Sequence, residues 1–285
     1  MDIILSVGCP QCSKTNFNFE YSPVDRQSAP GMAPGGRNCD GKELLYYDTS
    51  GTKHLYIFNH KEYEKTKYFG KSAPPARNGT EEDVRRLSSV FQKLNYETHV
   101  NNDLKYDEIM DTMSNISKED HTSTSCLCFA VLTHGGHGGE LHAADRRYQL
   151  QDLMSLLATG HPSLLGKPKI FFIQACRGKQ HDPGRRLALD GTAAVTISSF
   201  ADFLVLTSSV EDYVSYRSIN GSFMIQELCD VVEQHHQTLD ILQLTTLVHR
   251  NVCYERAAYD PRNRTMHGGK QMPETRHTLT KILML

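Results

Sequence analysis

The sequence predicts an α/β fold in which a mainly parallel sheet of about six strands carries helices on both faces. From residue 54 onwards, short apolar runs alternate with longer amphipathic patterns, as in successive βαβ units. Ser125–Leu132 and Lys169–Ala175 are apolar at most positions, which is typical of central strands covered on both faces. The terminal segment Thr275–Leu285 alternates between apolar and polar residues and is expected to form an edge strand.

The other elements follow from the same periodicities. Thr80 and Asp83 are expected to form an imperfect capping box at the start of the first helix. The remaining strands are predicted at His54–Asn59, Tyr96–Val100 and Ala201–Thr207, and the helices at residues 81–95, around Ile109–Ile116, and at 150–158, 221–236 and 239–258. The sequence has no internal repeat.

Composition excludes several classes of protein. Hydrophobic residues make up 39% and charged residues 22% of the chain, which is typical of a globular protein. The 31 Lys and Arg against 33 Asp and Glu leave a net charge of −2, so neither nucleic acid nor a membrane is an expected partner. Eight cysteines without a disulfide spacing predict reduced thiols and a cytoplasmic location. The Cys9–Cys12 pair has no second half, so no metal and no cofactor is predicted.

Two central strands end in reactive residues. One is followed by Thr133-His134-Gly135 and the other ends in Gln174-Ala175-Cys176. If the strands are parallel, His134 and Cys176 emerge at the same edge of the sheet, where ligands of open α/β sheets bind. A thiol beside an imidazole is the minimum for a cysteine nucleophile, because the thiolate attacks and the imidazole transfers the proton.

Several segments resemble the caspase family. Residues 174–178 (QACRG) fit the caspase cysteine signature, and His134 lies 42 residues upstream. The other matching segments are RNGT at 77–80, KEDH at 118–121, ADFL at 201–204, SYR at 215–217, GSF at 221–223 and KQMP at 270–273. The resemblance implies the three-layer caspase fold and a cysteine endopeptidase that cleaves after aspartate.

The resemblance also implies roles for individual residues. Cys176 is the expected nucleophile, His134 the acid and base, and the N–H groups of Gly135 and Cys176 the donors to the oxyanion. Arginine suits a pocket for an aspartate side chain, because its guanidinium is always charged and binds carboxylates bidentately. The residues expected to bind substrate are Arg77, Gln174, Ser215, Tyr216, Arg217 and Phe223.

The same resemblance predicts how the chain is organised and processed. Residues 1–50 are expected to be a flexible leader without an adaptor domain, as in executioner members, 51–190 a large catalytic subunit and 191–285 a small one. Asp190 is the expected cleavage site between the subunits, with Asp25 and Asp40 as candidates for removing the leader. Residues 275–285 are expected to join two copies into a homodimer. Expected partners are proteins with exposed aspartates, other caspases and caspase inhibitors.

The sequence departs from the family pattern at several positions near the site. Thr133 replaces a common serine, Tyr216 and Phe223 stand where the family has tryptophan, and GHGG at 136–139 replaces a more acidic stretch. The aromatic replacements and the glycine-rich segment leave open a second hypothesis, in which the chain is a weakly active or decoy homologue that regulates a true caspase by binding it. An asparagine- or lysine-directed relative of the same fold is not expected, because its pocket would not contain two arginines.

Overall fold

The computed structural model describes residues 45–70, 72–176, 200–210, 215–218, 220–258 and 268–285, without the side chains of His137, Arg217 and Ser218. The expected processing sites Asp25, Asp40 and Asp190 therefore lie outside the described residues, as does almost all of the predicted leader.

The centre of the fold is a six-stranded sheet in the order β10-β7-β6-β3-β1-β2. All neighbouring pairs are parallel except β10 with β7, which is antiparallel and places β10 at one edge. The strands are β1 (Thr52–Asn59), β2 (Tyr96–Asn102), β3 (Thr124–Leu132), β6 (Lys169–Gln174), β7 (Phe203–Thr207) and β10 (Glu274–His277). Four short strands form two hairpins beside the sheet: β4 (Glu140–His142) with β5 (Arg147–Gln149), and β8 (Arg217–Ser218) with β9 (Gly221–Ser222).

Helices cover both faces of this sheet, as the sequence predicts. Five are described: α1 (Thr80–Lys93), α2 (Tyr106–Lys118), α3 (Leu150–Ala158), α4 (Phe223–His235) and α5 (Ile241–Glu255). Buried residues of α1, α4 and α5 form one hydrophobic cluster with alternate strand residues, and those of α2 and α3 form a second cluster on the opposite face. The three-layer α/β architecture is confirmed. None of the described helices combines the length and the apolar content required to cross a bilayer.

The predicted capping box at the start of α1 is wrong. The N-cap is Gly79, with a φ of 87°, and no side chain caps the helix. The Thr80 hydroxyl donates instead to Asn59 Oδ1 at 2.6 Å, and the Asp83 carboxylate accepts from the backbone N–H of Ser222 at 2.8 Å. Both side chains are buried, so their tertiary partners replace the local cap.

Candidate active site

The ends of β3 and β6 bring the predicted histidine and cysteine segments together. In the parallel register Leu132 pairs with Gln174, and the backbone N–H of Thr133 donates to the Gln174 carbonyl at 3.1 Å. A Cβ atom at Gly135 would lie 2.6 Å from the Cys176 carbonyl oxygen. The two segments therefore approach so closely that only glycine fits at position 135.

A backbone carbonyl orients the imidazole of His134. Its Nε2 lies 2.8 Å from the carbonyl oxygen of Pro75. Since a carbonyl only accepts, Nε2 carries the proton in this contact, and Nδ1 is the nitrogen that can exchange a proton with a reacting group. Sequence reasoning does not find this partner, because a main-chain oxygen has no residue signature.

Tyr63 supports the histidine segment from the other side. Its hydroxyl accepts a 3.1 Å hydrogen bond from the backbone N–H of His134, and the centroid of its ring is 5.1 Å from that of the imidazole. The Thr133 hydroxyl donates to the His142 carbonyl at 2.6 Å, so Tyr63 is the donor in its own 2.9 Å contact with Thr133 Oγ1. The sequence analysis missed Tyr63, because only the folded chain brings residue 63 to residue 134.

We expect Tyr63→Phe to lower kcat several-fold and to leave KM nearly unchanged. The ring remains, but the hydroxyl that fixes the histidine segment is lost, and one such hydrogen bond contributes about 1 kcal/mol. Steady-state kinetics on an aspartyl peptide measure the effect. Tyr68→Phe is the control, since Tyr68 is 49% exposed in the same segment. An unchanged kcat in Tyr63→Phe would contradict this positioning role.

The geometry around Gly135 leaves its N–H directed away from the neighbouring hairpin. Gly135 forms an antiparallel bridge with Leu141, but the bonds of this bridge are made by Gly136 N–H to Glu140 O at 2.9 Å and by His142 N–H to His134 O at 3.0 Å. In such a pair the central residues do not bond each other. The Gly135 N–H is therefore oriented to serve an acceptor on the side opposite Leu141.

Ser215 lies against the thiol of Cys176. The Cys176 Sγ is 3.6 Å from Ser215 Oγ and 3.8 Å from its carbonyl oxygen. Gln174 Nε2 donates to the same hydroxyl at 3.1 Å. The segment that begins at Ser215 and continues into β8 is thus held directly beside the sulfur.

Gln271 fixes this segment through a second contact. Its Oε1 accepts from the backbone N–H of Tyr216 at 2.7 Å, and its Nε2 donates to the Ser208 carbonyl at 2.7 Å. The Ser208 hydroxyl in turn donates to the Ala175 carbonyl at 2.8 Å, next to the cysteine. Gln271 lies in a segment that the sequence analysis matched, but the sequence assigned it no role.

The structure describes the side chains of two of the three residues predicted to bind the aspartate carboxylate, Arg77 and Gln174. Arg77 is 1% exposed, and its Nη1 donates to the His60 carbonyl at 2.8 Å and to Thr80 Oγ1 at 3.0 Å. Gln174 is 2% exposed, and its Oε1 is buried without a hydrogen-bond partner. The backbone of Arg217 lies in β8, but its side chain is outside the described part of the chain.

Two aromatic side chains lie at the β8–β9 hairpin. Tyr216 is buried, and its ring centroid is 6.0 Å from that of Phe223. The buried carboxylate of Asp83 anchors the hairpin to α1 by accepting from the N–H and the hydroxyl of Ser222, each at 2.8 Å. Burial raises the pKa of Asp83, although these hydrogen bonds oppose that shift. Asp83 therefore holds in place the hairpin beside which the Tyr216 and Phe223 rings lie.

We expect the stability of the fold to fall between about pH 6.5 and pH 4 because of His60, beside Arg77. Its imidazole is fully buried and Nδ1 has no hydrogen-bond partner, so burial lowers the pKa of His60 to about 4. The unfolded chain takes up a proton near pH 6.5 and the folded chain does so only near pH 4, which removes about 3 kcal/mol of stability across this window. Urea unfolding at several pH values measures the loss.

The control for this pH dependence is His60→Gln, which removes the titrating group. His142, whose pKa burial also lowers to about 4, remains in the variant and contributes in the same direction. The variant should therefore lose less stability than the parent between pH 6.5 and pH 4. If the free energy of unfolding falls equally in the parent and in His60→Gln, His60 is not the cause of the pH dependence.

Comparisons with known proteins place the chain in a family. The sequence profile of the family described as "Caspase domain" matches residues 52–284. With this match and the juxtaposed cysteine and histidine segments, the chain belongs to the caspase family of cysteine peptidases.

The relatives include executioner caspases. The chain is 34% identical to Caspase drICE of Drosophila melanogaster over 236 residues, covering 80% of this chain and 68% of the relative. It is 35% identical to Caspase-3 of Bos taurus over 232 residues, covering 80% and 82%. The crystal structure of Caspase-1 from Spodoptera frugiperda superposes with a TM-score of 0.75 at 33% identity, covering 90% of this chain and 96% of that one.

Proposed function

We propose that the protein is an active endopeptidase that cuts protein chains after aspartate, with Cys176 as nucleophile and His134 as acid and base. The observation that carries this proposal is the contact between the two strand ends, together with the hydrogen bond from His134 Nε2 to the Pro75 carbonyl, which leaves Nδ1 available for proton transfer. A decoy homologue needs none of these features.

The reaction proceeds through an acyl-enzyme. His134 takes the proton of the Cys176 thiol, the sulfur attacks the carbonyl carbon of the aspartate residue, and the N–H groups of Gly135 and Cys176 donate to the oxyanion. His134 protonates the departing amine as the C–N bond breaks, leaving a thioester. It then removes a proton from water, whose oxygen attacks the thioester, releasing the aspartyl acid and restoring the thiol. No cofactor takes part in this sequence.

Arg77, Gln174 and Arg217 would form the pocket for the aspartate side chain. The buried guanidinium of Arg77 supplies positive charge, and Ser215 lies beside the sulfur where the substrate backbone must pass. A rotation of the Gln174 amide by 180° would let the Ser215 hydroxyl bond Oε1, while Nε2 donates to the carboxylate. The Tyr216–Phe223 pair would contact the preceding substrate residue.

We further propose that the chain is made as a zymogen and activated by cleavage after Asp190, with Asp25 and Asp40 as sites for removing the leader. The large and small subunits, 51–190 and 191–285, would stay together after the cut, because β6 and β7 lie on either side of it and pair in the same sheet. Mass spectrometry of active protein should find the Asp190–Gly191 bond cleaved. An intact bond in fully active protein would contradict this site.

A homodimer fits the position of β10. This strand is at the edge of the sheet, so antiparallel pairing with the β10 of a second copy would extend the sheet across a two-fold axis. The similarity to executioner caspases supports a role in programmed cell death in the cytoplasm, with aspartate-containing proteins, other caspases and caspase inhibitors as partners.

Cleavage-site profiling tests the proposed function. The purified protein is incubated with a peptide library, and the products are sequenced by mass spectrometry. We expect aspartate immediately before nearly every cut. The decoy hypothesis instead predicts no cleavage, and a different residue at that position would contradict the proposed pocket.

A further inference from the structure

A cluster of two imidazoles and a carboxylate lies on β1 and the outer strand β2. It is away from the carboxyl ends of the strands, where the candidate active site lies. His54 of β1 pairs with Glu97 of β2, and Tyr56 pairs with His99. Alternate residues of a strand share one face, so His54, Glu97 and His99 project from the same face of the sheet. Their side chains take no part in the proposed peptidase chemistry.

Two distances within this cluster are close to the edge length of a metal-coordination tetrahedron. His99 Nε2 is 3.4 Å from His54 Nδ1, which is 3.5 Å from Glu97 Oε2. One ligand atom from each of the three residues lies within 4.8 Å of the other two. In a tetrahedral zinc site with ligand bonds of about 2.0 to 2.1 Å, neighbouring ligand atoms are about 3.3 to 3.4 Å apart.

We propose that His54, Glu97 and His99 form a zinc-binding site, with Nδ1, one carboxylate oxygen and Nε2 as ligands and water in the fourth position. Two imidazoles and a carboxylate are a common donor set for Zn²⁺, whereas Ca²⁺ and Mg²⁺ favour all-oxygen sites. The side chain of Glu97 is 62% exposed, so it can rotate onto an entering ion.

Stacked rings hold the His99 ligand in place before an ion arrives. The His99 ring stacks on Tyr56 with centroids 4.6 Å apart, and Tyr56 stacks on Phe129 at 5.4 Å. Phe129 is fully buried in the central strand β3. This chain of rings anchors His99 to the core, which lowers the entropic cost of forming the site.

A simple hydrogen-bond network explains the cluster less well. His54 Nδ1 lies near both His99 Nε2 and Glu97 Oε2, and it can either accept a hydrogen bond from the imidazole or donate one to the carboxylate, so it satisfies only one of these two neighbours. A cation between the three atoms satisfies all of them at once. The nearby His121 is excluded as a ligand, because both its ring nitrogens contact Thr124 and a backbone carbonyl.

The position of the cluster separates it from catalysis. His54 lies five residues before Asn59, which ends β1 at the catalytic edge, a distance of about 17 Å along the strand. Bound zinc would tie the edge strand β2 to β1. The expected consequence is a more stable fold, since a ligand that binds only the folded state stabilises it.

Zinc binding by the full-length Cys176→Ala protein tests this site, because the variant removes the competing thiolate of the candidate active site. Metal-stripped protein is titrated with Zn²⁺ against a chromogenic chelator, and with Co²⁺ to read the coordination geometry from the visible spectrum. We expect His99→Gln and Glu97→Gln to weaken zinc binding by more than about tenfold and to remove the tetrahedral Co²⁺ absorption. They should also lose the rise in Tm that zinc gives the parent.

His277→Gln is the matched control, since His277 is an exposed histidine on β10, at the opposite edge of the same sheet. It should bind zinc like the parent. Equal Tm values of the metal-free proteins would show that the ligand variants are folded. The proposal is overturned if the parent binds no zinc at micromolar concentrations, or if His99→Gln binds with the parent's stoichiometry and affinity.

Discussion

Replacing Cys176 with alanine is expected to abolish cleavage of aspartyl peptides, with a loss in kcat of about 10³-fold or more. The variant keeps the contact between the β3 and β6 ends, because Thr133, Gly135 and the Gln174 carbonyl make it through main-chain atoms. What it loses is the sulfur that is proposed to form the acyl-enzyme. Release of a fluorogenic peptide measures the rate.

The variant cannot process itself, so it is cut in trans by affinity-tagged parent protein, which is then removed. Cys253→Ala, treated in the same way, is the control, because Cys253 is a partly buried thiol on the remote helix α5. It should retain full activity. Rates at background level for both the parent and Cys176→Ala would favour the decoy hypothesis, since a binding protein does not need the thiol.

The sheet and the two reactive strand ends could be predicted from local patterns. β3 and β6 are buried at every position, so their sequences are apolar at most positions. The residues that follow them meet because the two strands are parallel neighbours. Most strand and helix bounds differ from the predictions by a few residues, as is usual where ends are set by tertiary contacts. The edge strand predicted at Thr275–Leu285 is an exception, because the observed strand β10 ends at His277.

The supporting contacts could not be predicted in the same way. Pro75 acts through a carbonyl oxygen, and Tyr63 acts through a hydroxyl brought in from 71 residues away. Gln271 bridges two backbone segments that are separate in sequence. The capping box predicted from Thr80 and Asp83 is wrong, because the spacing of these two residues is the same whether they cap a helix or bind buried partners. Such contacts depend on the packed fold and leave no periodicity in the chain.

Replacing Arg77 with glutamine is expected to lower kcat/KM for aspartyl substrates by about 10² to 10⁴-fold. A carboxylate transferred from water into the pocket would lose one of its charged partners, at a cost of about 3 to 5 kcal/mol. Steady-state kinetics on matched peptides ending in aspartate and asparagine measure the effect. The ratio of the two rates should fall, because the neutral asparagine side chain needs no guanidinium.

The ratio of the aspartate rate to the asparagine rate distinguishes a loss of substrate recognition from a loss of folded protein. Arg77 is 1% exposed and donates to the His60 carbonyl and to Thr80, so its removal also destabilises the start of α1. Loss of folded protein lowers both rates equally, whereas loss of the charged partner lowers only the aspartate rate. Thr80→Val is the matched control, since it removes one of these contacts and keeps the charge. If Arg77→Gln leaves the aspartate preference unchanged, Arg77 holds the α1 segment in place and another cation neutralises the substrate.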